Sequence, residues 1–103
     1  MSTRTFYNEN YQVKFSLKIT ELGPNARSTG GGLCSVREGE EVIRIEISSR
    51  ETPGTLIHEI THAADFMFDE LGIERNFPTD ENYSYLVGWL TDKMLPIFLK
   101  HKQ

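Results

Sequence analysis

Hydrophobic and polar residues alternate most cleanly across residues 11–20. Val13, Phe15, Leu17 and Ile19 fall on one side, and Lys14, Ser16, Lys18 and Thr20 on the other. A period of two predicts a strand with one buried face. Gly23-Pro24-Asn25 reads as a turn, and residues 25–32 as a loop ending in Gly30-Gly31-Gly32. Residues 33–37 form a short second strand. Glu38-Gly39 reads as a tight turn before a third strand at 41–48, where Val42 and Ile43 lead into alternating Arg44, Ile45, Glu46 and Ile47. The last two strands make a β-hairpin.

The period changes after Thr52-Pro53. A hydroxyl N-cap followed by proline at the first helical position starts a helix. Leu56, Ile57, Ile60, Ala63, Ala64, Met67 and Leu71 then recur at helical spacing, and Gly72 is a natural stop. After a connector at 72–78, a second helix begins near Thr79 or Asp80. It carries Leu86, Trp89, Leu90, Met94, Ile97 and Phe98 toward the core, and Pro96 should kink it or end its first segment. The pattern predicts an α+β fold: a small three-stranded sheet packed on two helices, with residues 1–103 as a single domain.

Bulk properties narrow the classes. A chain of 103 residues suffices for one core, so a cleft between two lobes is not expected. The composition, 38% hydrophobic and 25% charged, is that of a folded globular domain. The net charge is −4 and no basic block occurs, so nucleic-acid binding is not expected. The Lys100-His101-Lys102 end reads as a solvated helix terminus that complements the dipole. No run is long enough for a membrane span, and the polar stretch at 1–9 lacks the apolar core of a secretory signal. Cys34 is the only cysteine, which excludes an internal disulfide or a cysteine-built zinc site and reads as an inert, half-buried thiol. A cytoplasmic location is therefore expected.

The chemistry concentrates in His58-Glu59-Ile60-Thr61-His62. Histidines at i and i+4 stack on one helix face, so both imidazoles can reach one metal ion. Glu59, beside the first histidine, can act as a base toward a water at that metal. The histidines share their strip with Asp65 and Asp69, apart from most of the apolar positions. A catalytic zinc site uses three protein ligands. His101 lies near the end of the sequence without supporting context. The carboxylates after the helix are better third ligands, Glu81 first among them, since the connector before it is long enough to reverse direction.

HExxH followed by eighteen residues and a glutamate resembles the gluzincin metallopeptidases. Asp80-Glu81-Asn82-Tyr83-Ser84-Tyr85 is similar to the Asn-Glu-Gly-Phe-Ala-x-Tyr stretch of the aminopeptidase branch. Residues 55–63 resemble the thermolysin-type active-site helix. The short length and the Tyr85-Leu86-Val87-Gly88-Trp89-Leu90 run look like small phage-encoded metallopeptidases, which would place the protein in a host cytoplasm. The resemblance covers about residues 52–92. It implies a minimal zincin-like domain with a peptide or protein substrate, in which His58, His62 and Glu81 bind Zn2+. Glu59 would polarise the water and later pass its proton to the leaving amine. Asp80, which precedes the glutamate ligand, would orient a zinc histidine, and Asp65 is a second candidate for that task. Tyr83 or Tyr85 would stabilise the oxyanion. The second strand would be the edge along which substrate adds as a further strand.

The chain departs from the large families in having no second domain to wall a cleft. It also has no counterpart of the motif that holds a free N-terminus. Three readings follow: a minimal zinc peptidase, a zinc-bearing module that binds a protein without turnover, and a structural zinc site that supports folding.

Overall fold

The computed structural model describes residues 2–20, 32–36, 42–74, 76 and 80–101. The strands are β1 (Ser2–Asn8), β2 (Val13–Thr20), β3 (Gly32–Val36) and β4 (Val42–Ser48); the helices are α1 (Pro53–Glu70) and α2 (Asp80–His101). The turns expected at Gly23-Pro24-Asn25 and Glu38-Gly39, and connector residues 75 and 77–79, lie outside the described residues. Among the described residues, no helix is long and apolar enough to cross a membrane.

The fold is α+β, as the pattern predicts, but the sheet has four strands rather than three. The extra strand is β1, antiparallel to β2 with Phe6 opposite Phe15. The register puts Arg4, Phe6 and Asn8 on the inner face, so only one of those three side chains is apolar. Such a strand carries no alternation to read; backbone pairing with β2 supplies what its side chains do not. The turn before β2 also shortens the expected strand. Gln12 has φ 56°, and the Asn8 Oδ1 accepts from the Tyr11 amide at 3.1 Å, so residues 9–12 bend rather than extend.

The strand order is β1-β2-β4-β3. β4 pairs parallel with β2 and antiparallel with β3, which places it inside the sheet and leaves β3 at an edge. Ile43, Ile45 and Ile47 of β4 line up with Phe15, Leu17 and Ile19 of β2, and all six are buried. The opposite face aligns Lys14, Ser16 and Lys18 with Val42, Arg44 and Glu46. Both helices therefore cover the apolar face: α1 lies over β3 and β4, α2 over β2, and the helices pack on each other. A two-layer arrangement of this kind buries one sheet face in the core and gives the other to mainly polar side chains, of which Ser16 is itself buried.

α1 begins and ends as its caps dictate. Thr52 is in extended conformation and its Oγ1 accepts from the Thr55 amide at 3.3 Å. At the other end Ile73 N donates to Phe68 O at 2.8 Å and Gly72 N to Asp69 O at 3.1 Å. That is a Schellman cap, with Gly72 at φ 68° in the left-handed position. The buried stripe is Leu56, Ile60, Ala63, Ala64, Met67 and Phe68. Phe68 replaces Leu71, which the apolar spacing had placed inside. Phe68 lies four residues from Ala64 on one face, while Leu71 is the exposed C-cap. α2 buries Leu86, Leu90, Met94 and Phe98, with Trp89 and Ile97 packed at the margin. It continues through Pro96 to His101. The carbonyl left without a donor there belongs to Asp92, an exposed residue where water can replace the missing amide.

Candidate metal centre

α1 holds its two histidines where the spacing requires. His58 and His62 are exposed, and their Nε2 atoms stand 3.1 Å apart. The rings meet edge to face with centroids 4.7 Å apart. Two imidazoles on a tetrahedral metal, with bonds of about 2.0–2.1 Å, place their nitrogens roughly 3.3 Å apart. The pair is thus set at close to the spacing a shared ion needs.

Glu59 follows His58 by about 100° around the helix, which turns it toward β3. It is 5% exposed, the only buried charged side chain of α1. Ligand atoms of His58, Glu59 and His62 all lie within 4.8 Å of one another. Burying an acid is costly, and a nearby cation offsets that cost. These three residues could hold a metal ion, and the donor set of two imidazoles and a carboxylate suits a divalent one.

The edge strand forms the other wall. Gly32, Cys34 and Val36 share the inner face of β3, opposite Ile47, Ile45 and Ile43. A Cβ at Gly32 would come within 2.8 Å of Glu59 Cγ. The Cys34 thiol is pushed up to about 12, first by burial and then by the Glu59 charge. It therefore stays a neutral thiol at neutral pH. Neither neighbour stands out in the sequence. A triple glycine reads as loop, yet its last member opens a strand, where glycine marks a close approach of backbone to another group.

The remaining predicted residues scatter. Tyr83 faces α1: its hydroxyl donates to the Thr61 carbonyl at 3.3 Å, and its ring meets Phe68 edge to face. Thr61 in turn donates its hydroxyl to the His58 carbonyl at 2.7 Å. Tyr83 thus braces the turn that carries both histidines. Tyr85, about 200° further round α2, accepts from Asn10 Nδ2 at 2.9 Å beside the β1–β2 turn. Asp65 is exposed on α1, and Asp80 and Glu81 are exposed in the first turn of α2. None of the three joins the donor set with His58, Glu59 and His62. For Glu81 the reason is angular. Tyr83, Leu86 and Leu90 define the inner face of α2, and Glu81 starts about 200° from Tyr83.

Comparison of the chain with known protein families, with curated proteins and with solved structures returns no match.

Proposed function

We propose that this protein is a small zinc-dependent peptidase. His58 and His62 bind the metal through Nε2, and Glu59 is the general base. The observation that carries the reading is Glu59: an acid only 5% exposed, with a ligand atom within 4.8 Å of those of two imidazoles. A surface helix with two incidental histidines has no reason to bury an acid between them and a strand. Zinc held there would act as a Lewis acid and lower the pKa of water toward neutrality. Glu59 would take the proton of the attacking water and return it to the leaving amine. Tyr83 keeps the histidine turn in place through Thr61.

Glu81 is the proposed third ligand. Its support is position: it opens α2 two residues before Tyr83, which touches α1 next to His62. Asp80 and Asp65 remain proposed partners for the free imidazole nitrogens. An extended peptide is the proposed substrate. β3 is hydrogen-bonded only to β4 among the described strands, and its outer edge offers backbone groups to an added strand. A peptide seated there would run past Gly32, directly against Glu59. A cytoplasmic setting, drawn from the single cysteine, and a phage origin belong to the same proposal.

Glu59→Gln tests the reading. The variant should retain zinc, while cleavage of a peptide library falls by about 10²–10⁴-fold, the usual contribution of a general base. A zinc-loaded wild type that cuts nothing in that library would sink it. Glu81→Ala should lower zinc content; equal content in variant and wild type would remove Glu81 from the site. The exposure of both histidines favours a second reading, a zinc-bearing module that binds a protein without turnover. A library without cleavage, together with a zinc-dependent partner, would support that reading instead.

A further inference from the structure

β3 approaches Glu59 with bare backbone. A Cβ at Gly32 would stand 2.8 Å from Glu59 Cγ, 3.1 Å from Oε2 and 3.2 Å from Cδ. Non-bonded carbons rest at about 3.5–4.0 Å, so the first of these distances is not tolerated. Torsion does not explain the glycine. Of the described glycines only Gly72 has positive φ, so Gly32 is there for space. The clash falls on Cγ, near the root of the side chain. Swinging the carboxylate alone would not relieve it; the whole side chain has to turn. Glu59 has little room to do so, because it is 5% exposed and its helix neighbours Ile60 and Ala63 are fully buried.

We propose that Gly32 is a positioning residue: the bare backbone of β3 fixes the Glu59 side chain so that its carboxylate stays beside His58 and His62. The inference rests on the hydrolase reading above and adds a coupling to it. The strand that would carry the peptide also sets the base that acts on it.

The test compares wild type, Gly32→Ala, Glu59→Ala and the double variant, each as the full chain loaded with zinc. Gly32→Ala should keep its zinc and its KM for a cleaved peptide while kcat falls about a hundredfold, the effect of an ångström-scale misplacement. Thermal unfolding reads the contact without activity. Alanine is ordinarily favoured over glycine in a strand. Gly32→Ala should therefore lower Tm in the wild-type background and raise or preserve it once Glu59→Ala has removed the obstructing atoms. Should Gly32→Ala fold only beside Glu59→Ala, that dependence is itself the predicted coupling. A wild-type kcat in Gly32→Ala, or the same Tm change in both backgrounds, overturns the inference and leaves the peptidase reading standing. A zinc-loaded wild type without turnover overturns the peptidase reading, and the positioning role goes with it, whatever the Tm values show.

Discussion

Glu59 and Cys34 show how neighbours decide what a side chain does. Both are acids in the ordinary sense, and both face the narrow space between α1 and β3. Glu59 has a ligand atom within 4.8 Å of those of two imidazoles, while burial and the nearby Glu59 push the Cys34 thiol up from 9.0 to about 12. A thiol whose folded pKa is raised contributes stability that is fully present below the unfolded pKa. Above about pH 9 the unfolded chain releases the proton and the folded chain does not, so that contribution is lost between about 9 and 12. Cys34→Ala should accordingly flatten the fall in stability over that range, measured by urea unfolding at several pH values. The same shift predicts slow alkylation: at pH 8 iodoacetamide should label native Cys34 far more slowly than the urea-unfolded chain. Equal rates would mean that the thiol is neither buried nor near a charge.

At the scale of elements, α1 is the most tightly specified piece of the chain. Its start is Thr52 and Pro53, its end Gly72 in the left-handed region, and between them the apolar stripe faces the sheet. Thr52→Ala removes the oxygen that receives the Thr55 amide and should cost about 1 kcal/mol. Gly72→Ala forces a Cβ into positive φ. No atom lies within 4 Å to clash with it, so the cost should be the conformational one, about 1–2 kcal/mol. Both losses should appear in the urea midpoint with an unchanged m value. Either variant leaving the midpoint where it was would contradict the cap assignment. These caps, the helix and its polar strip of histidines were all legible in the sequence, because each is a local matter of a few adjacent residues. Phe68 and Leu71 exchanged places for a reason that spacing alone left ambiguous: the helix ends at Leu71, so its last turn no longer faces the core. β1 was not legible at all, since its inner face offers Arg4, Phe6 and Asn8 and its pairing is made by backbone.

On the scale of the whole molecule, a single apolar layer of sheet supports two helices, and the candidate metal donors lie on α1 beside the edge strand β3. Most of the core lies elsewhere, under α2 and between β2 and β4, so the fold has a hydrophobic basis independent of any ion. Zinc should still stabilise it, by about 2.7 kcal/mol at a hundredfold excess over Kd. In a domain of this size that corresponds to roughly 10 °C or more in Tm. Chelation should reverse the shift, and His62→Ala should abolish it while leaving the metal-free Tm close to wild type. A zinc-induced shift of equal size in His62→Ala would place the ion elsewhere.

The sequence by itself determined the helix, its ends, the histidine pair and the acid beside it, because a repeat of 3.6 residues fixes which side chains share a face. It also placed Glu81 at the head of the second helix. Tertiary structure alone decided what surrounds that motif. The crossover that puts β4 inside the sheet makes β3 an edge and lays Gly32 and Cys34 against Glu59. Helix rotation turns Tyr83 toward α1 and leaves Glu81 outside the donor set. Those outcomes depend on how strands order and helices rotate when distant apolar faces meet, and no local repeat along the chain encodes either.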